Sequence, residues 1–151
     1  MTLKRELQHL KTPDLAYKIF NHEYVLNRSW TSGQEKKLPD LDFSEVDGYW
    51  FLCEGGGWCF IDQGNDVYSC HFGYLPNHLG RKSAKHTLEA LEFIRSKGAK
   101  TLLGWIALEA KETTNFLNKL NFKLLQRKSG DFWINDKKTE LGLYNYEFCR
   151  R

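Results

Sequence analysis

The segment Tyr74-Leu75-Pro76-Asn77-His78-Leu79-Gly80-Arg81-Lys82-Ser83-Ala84 decides the fold. Upstream of it, Val67-Tyr68-Ser69-Cys70-His71-Phe72 is a β-branched and aromatic run with strand character. Downstream, Ala84, Leu88, Leu91 and Ile94 recur at i, i+4, i+7 and i+10, the stripe of an amphipathic helix that closes at Gly98. A strand therefore passes through a basic, glycine-containing loop directly into a helix. The first N–H groups of a helix have no intrahelical partner and sit at the positive end of its dipole. Such a junction is an anion site, most naturally one for phosphate. Gly80 lets a ligand approach the backbone, and Arg81, Lys82 and Lys85 add charge.

Working outward, Tyr49-Trp50-Phe51-Leu52-Cys53 and Trp58-Cys59-Phe60-Ile61 are further strand runs. Gly55-Gly56-Gly57 separates them, and Gln63-Gly64-Asn65-Asp66 leads to the Val67 strand, so the three read as an antiparallel meander. Thr12-Pro13-Asp14 opens a helix to about Asn21, faced by Leu15, Ile19 and Phe20, with a shorter helix ahead of it. Asn27 to Phe43 reads as a long polar loop at the mouth of a site, with Lys36 and Lys37 near Asp40, Asp42 and Glu45. After Gly98 come a strand (Leu102 to Ala107), a helix (about Lys111 to Leu120, stopped by Asn121), a strand from Phe122 to about Gln126, and one or two strands between Phe132 and Phe148. The expected fold is α+β: a mixed, mostly antiparallel sheet of six to seven strands with helices on both faces, residues 1–151 forming a single domain.

The chain has 151 residues, 41% hydrophobic and 27% charged, which excludes disorder and low complexity. No window reaches the run of about 18 apolar residues that a membrane span needs. Met1-Thr2-Leu3-Lys4-Arg5-Glu6 lacks an apolar signal core, so a cytoplasmic protein is expected. The net charge of +3 is too mild to argue for a nucleic-acid partner. It is unevenly spread: His78 to Lys100 holds six Lys or Arg against two acids, a local +4. Cys53, Cys59, Cys70 and Cys149 show no metal-ligand spacing and read as reduced core residues, and no metal is expected. Most of Trp30, Trp50, Trp58, Trp105 and Trp133 lie in apolar runs, where core packing outweighs base stacking.

With these residues in view, the sequence resembles the GNAT superfamily of acyl-coenzyme A-dependent N-acetyltransferases. The family motif runs strand, Pro, two residues, Arg, Gly, x, Gly, x, Gly or Ala, helix. Here it stands as Pro76-Asn77-His78-Leu79-Gly80-Arg81-Lys82-Ser83-Ala84. Thr114-Asn115-Phe116-Leu117-Asn118-Lys119-Leu120-Asn121-Phe122 is similar to the family's last helix and its Lys-x-Gly-Phe ending. The likeness covers about Gly48 to Gln126, roughly half of the chain. The His71 strand and the aromatic C-terminal region also resemble small acetyltransferase-like proteins of bacteriophages. The sequence departs from the pattern at Leu79 (Arg in the family), Lys82 (Gly), Ala110 (Asn), Leu117 (a Tyr acid) and Asn121 (Gly).

The resemblance implies a sheet splayed between its fourth and fifth strands, with acetyl-coenzyme A as cosubstrate in the gap. Leu79, Gly80, Arg81, Lys82, Ser83 and Ala84 would hold the pyrophosphate through backbone amides. Phe72, Gly73 and Tyr74 would pair with the pantetheine arm as an added strand does. An amine, on a small molecule or a protein, would attack the thioester directly, with an N–H near Tyr74 facing the oxyanion. The catalytic candidates are His71, whose imidazole suits a base at neutral pH, and Glu109 at a strand end. Glu54, Tyr144 and Tyr146 are alternatives. A second reading is a GNAT-fold binding or structural protein, such as a phage component, without turnover. The aromatic C-terminal strands also offer a surface for a homodimer.

Overall fold

The aromatic runs after Gly48 pair as their turns dictate. The computed structural model describes residues 12–32 and 48–148. In chain order the elements are α1 (Thr12–Phe20), α2 (Glu23–Leu26), β1 (Thr31–Ser32), β2 (Tyr49–Cys53), β3 (Gly56–Asp62), β4 (Val67–Tyr74), a 3-10 turn (Pro76–His78), α3 (Arg81–Ser96), β5 (Thr101–Ala107), α4 (Lys111–Lys119), β6 (Lys123–Lys128), β7 (Phe132–Ile134), β8 (Lys137–Lys138) and β9 (Leu141–Glu147). The shorter helix expected ahead of Thr12, most of the Asn27–Phe43 loop, and Cys149 lie outside the described residues.

The main sheet has six strands in the order β2-β3-β4-β5-β9-β6. Every neighbouring pair is antiparallel except β4 and β5, which run parallel. That parallel pair is matched only from Val67↔Thr101 to Ser69↔Leu103, so the sheet is splayed beyond Ser69. The β2–β3 hairpin turns at Glu54 and Gly55, and Gly56 and Gly57 already belong to β3, two residues ahead of the expected start at Trp58.

Helices cover both faces. Trp50 and Leu52 of β2 point one way, into a cluster with Cys59 of β3 and Ala16 and Ile19 of α1. Phe51 points the other way, with Trp58, Phe60, Tyr68, Cys70 and Leu102, against Ala90, Leu91 and Ile94 of α3 and Leu117 of α4. Burial holds the Cys59 and Cys70 thiols protonated, pushed up to about 12.

The buried stripe of α3 is Ser83, Thr87, Ala90, Leu91 and Ile94. Leu88, which the periodicity assigned to the core, is 59% exposed. Thr87 takes the inward place because its hydroxyl serves buried donors: the Trp58 indole N–H donates to Thr87 Oγ1 at 2.9 Å. Both α3 and α4 end in Schellman turns. Phe122 N–H bonds Leu117 O and Asn121 N–H bonds Asn118 O, with Asn121 at φ 68° in the place of glycine.

A second, three-stranded sheet, β1-β7-β8, forms where the sequence predicts only a loop for Thr31–Ser32. The β7–β8 hairpin turns at Asn135 and Asp136, both at positive φ (49° and 64°), the geometry that Asn and Asp tolerate best after glycine.

Candidate active site

The splay opens a cleft of about 1020 Å³ between β4 and β5. Hydrogen-bond parity shows which backbone groups face it. The bonds Gln63 N→Val67 O and Leu75 N→Gly55 O make the odd residues of β4 the ones that exchange bonds with β3. The backbone groups of Phe72 and Tyr74 are thereby turned toward β5, into the gap. On β5, Leu108 N→Glu140 O and Phe148 N→Lys100 O fix the even residues to β9 and turn Leu103 and Trp105 toward β4. Leu103 O receives the Cys70 thiol at 3.4 Å, and Trp105 O receives the Trp30 indole N–H at 3.0 Å.

At the end of β4 the chain is pinned before it enters α3. His78 N–H bonds Leu75 O, and the His78 ring stacks on Tyr74 with centroids 6.1 Å apart. The Tyr74 hydroxyl lies 2.9 Å from His86 Nδ1 and 3.0 Å from Thr87 Oγ1, which ties the strand to the helix. Burial pushes that phenol well above its ordinary value, so it stays neutral.

Gly80 is the N-cap of α3 at φ 80°, ψ −129°, a region open to glycine alone, and no heavy atom lies within 4 Å of where its Cβ would be. Ser83 Oγ and Ala84 N–H both donate to Gly80 O at 3.0 Å. Ala84 N–H is therefore spent on the first helical bond, and the donors left to the loop are the N–H groups of Arg81, Lys82 and Ser83. No side chain caps this end, and its first turn contains no acid. Arg81 and Lys82 instead stand as exposed cations at the positive pole of the dipole, an arrangement costing roughly 0.3–1 kcal/mol per charge that a bound anion reverses.

The other face of the splay is built by α1, α2 and the segment after them. Gly73 admits this packing: a Cβ there would lie 2.7 Å from Val25 Cγ1. Residues 28–32 then cross the gap as a strap. Arg28 Nε donates to Glu112 Oε2 of α4 at 3.2 Å, Trp30 bonds β5, and β1 pairs with β7. The Arg28 guanidinium also lies 3.5 Å over the Tyr24 ring.

Of the residues expected at the site, His71, Phe72, Gly73, Tyr74, Leu79, Gly80 and Ser83 line this one cleft. His71 is exposed to it on the α1 face, beside Ser69 and Gln63, whose Nε2 donates to Ser69 Oγ at 3.2 Å. Desolvation by the surrounding walls holds its imidazole below the ordinary 6.5. Arg81 and Lys82 are exposed and Ala84 half-buried, none of them in the cleft wall. Glu109 is exposed in the β5–α4 turn, where its N–H donates to Thr139 Oγ1, and the structure does not bring it together with His71. Glu54, Tyr144 and Tyr146 are likewise outside the lining, and Leu117 is in the core at 2% exposure while Asn115 and Phe116 face the cleft. Tyr24, Arg28, Trp30, Trp105 and Glu112 line it without having been singled out as site residues. Among the described residues, no three His, Cys, Asp or Glu side chains gather as a metal site, and no helix is long and apolar enough to cross a membrane.

No family model matches the sequence, and no curated protein matches it. Solved structures do. The smu.2055 protein of Streptococcus mutans UA159 superposes with a TM-score of 0.70 at 14% identity, over 91% of this chain and 94% of that one. The yncA protein of Salmonella typhimurium, held with its cofactor acetyl-CoA, gives 0.56 at 13% identity, over 64% of this chain and 60% of that one. An N-acetyltransferase from Staphylococcus aureus Mu50 gives 0.54 at 15% identity, over 62% and 60%. The likeness spans about three-fifths of the length of these last two. The six-stranded mixed sheet, splayed where its one parallel pair parts, is the GNAT fold of the N-acetyltransferases.

Proposed function

We propose that this protein binds acetyl-coenzyme A in the splay and catalyses acetyl transfer to a primary amine. The observation that carries this reading is the continuous path of backbone groups along the cleft. The open edge of β4 at Phe72 and Tyr74 leads directly to the uncapped, acid-free start of α3 at Gly80. The residues present fit the ligand. Phe72, Gly73 and Tyr74 offer an extended arm a strand edge to pair with. Gly80 leaves open space beside the backbone, and the Arg81, Lys82 and Ser83 N–H groups suit a pyrophosphate. Asn115, Phe116 and Lys119 form the opposite wall.

When bound, acetyl-coenzyme A supplies an acetyl thioester. The chain's own part begins with His71, which takes the proton from the acceptor ammonium. Its lowered pKa keeps the imidazole neutral at pH 7. In this reading the acceptor enters from the α1 face, where His71 lines the cleft. Positioned N–H donors at Phe72 and Tyr74 face the gap where charge develops. A cosubstrate of this kind agrees with the cytoplasmic setting expected from the sequence.

The core position of Leu117, where many family members hold a tyrosine acid, favours a second reading: a GNAT-fold protein that binds coenzyme without turnover. Thiol release from acetyl-coenzyme A in the presence of a panel of amines separates the two. Amine-dependent release supports transfer, and coenzyme binding with no amine-dependent release supports the second reading.

A further inference from the structure

Resting on that reading, we infer that the acceptor is an amine that also carries a carboxylate on an apolar, preferably aromatic, body, with Arg28 as its carboxylate anchor. On the α1 face the cleft walls are Phe20, Tyr24, Trp30 and Trp105, a set that favours a ring or hydrocarbon body over a polyamine chain. Among the described residues lining the cleft, Glu112 is the one acid. That carboxylate is already neutralised by Arg28 at 3.2 Å. Among the described residues the cationic side chains on the wall are Arg28 and Lys119, so beyond the Arg28–Glu112 pair the described lining carries positive charge.

Arg28 is held as an anchor should be. Its Nη1 donates to Tyr24 O at 3.2 Å, its guanidinium stacks on the Tyr24 ring, and Val25 at the base of the same turn is packed on Gly73. A guanidinium has five N–H donors in a rigid fork, and the bonds to Glu112 and Tyr24 engage two of them. Glu112 is solvent-facing, with 73% of its side chain exposed, so an incoming carboxylate can share or displace it at little cost. His71, on the facing strand, is left to receive the amine.

The test uses two matched acceptor pairs: phenylalanine against phenethylamine, and para-aminomethylbenzoate against benzylamine, with spermidine as the polycation. Acetyl-coenzyme A binding is measured first, by calorimetry. In at least one pair the carboxylate member is expected to have the higher kcat/KM by about tenfold or more, the worth of one charge-assisted hydrogen bond. Arg28→Gln should erase that ratio. Glu112→Gln should raise it, because the competing carboxylate is gone, whereas a purely structural Arg28–Glu112 bridge would make the two variants behave alike. Equal or better turnover of both carboxylate-free amines, or a preference for spermidine, overturns the inference while leaving the transferase reading intact. Absence of acetyl-coenzyme A binding overturns both.

Discussion

The Trp30 indole N–H reaches the carbonyl of Trp105 at 3.0 Å, so the segment leaving α2 is fastened to the strand edge that the splay exposes. A parallel pair that parts after three residues leaves backbone groups without a neighbouring strand, and each needs another partner. Trp30 supplies one, and in doing so it draws residues 28–32 across the cleft.

Trp30→Phe keeps the ring that packs edge-on against Phe132, 5.5 Å away, and removes only the donor. The expected loss of stability is about 0.5–1.5 kcal/mol, read as a lower urea midpoint at unchanged slope. The KM for the acceptor amine should rise more than that for the coenzyme, since the strap lies on the α1 face. An unchanged midpoint and unchanged KM would show that the strap is anchored elsewhere.

Thr87→Val is close to isosteric but leaves the Trp58 indole N–H and the Tyr74 hydroxyl each short of a buried partner. We expect a loss of about 1–3 kcal/mol by chemical denaturation. Coenzyme binding should weaken with it, because Tyr74 is the last β4 residue before the loop. Serine at the same position restores the hydroxyl and should recover most of the binding.

His71 gives a pH prediction. With its imidazole held below 6.5 by desolvation, the acid limb of kcat/KM for a weakly basic hydrazine acceptor should lie below that value, and His71→Gln should remove the limb. The stability effect has the same origin. As pH falls through 6.5 the unfolded chain takes up this proton before the folded one does, so the native state loses stability until pH reaches the lower folded value. The melting temperature of His71→Gln should therefore fall less steeply with acid than that of wild type.

Much of this fold is legible in the sequence where local chemistry decides it. The Asn121 helix stop appears as a left-handed cap, and the glycine and Asn-Asp turns give the meander its register. Leu88 shows where periodicity misleads: it fits the apolar stripe, yet Thr87 is inward because two buried polar groups need its oxygen. The Asn135-Asp136 hairpin carried a readable turn signal. Strand β1 carried none, because two residues have no period and pair only through a partner about 100 positions away. The cleft wall formed by Phe72, Gly73, Tyr74, Leu79, Gly80 and Ser83 is nearly contiguous in sequence, so one motif brings it into view. The α1-face wall assembles Tyr24, Arg28 and Trp30 with Trp105 and Glu112 through long-range contacts, and only the fold brings them together.

The central claim is that the Gly80 loop and the open edge of β4 hold the coenzyme. The sequence alone predicts that Gly80→Glu abolishes binding with the fold intact, but at φ 80° any side chain adds strain of about 1–3 kcal/mol, so binding and stability must be read together. The most direct measurement is calorimetric titration of wild type and Gly80→Glu with acetyl-coenzyme A and with desphospho and desulfo analogues, under conditions where circular dichroism shows both proteins folded. The account predicts micromolar binding to wild type, weaker binding when the phosphates are missing, little change without the sulfur, and none to Gly80→Glu. Equal affinity of folded wild type and folded variant, or affinity indifferent to the phosphates, would contradict it.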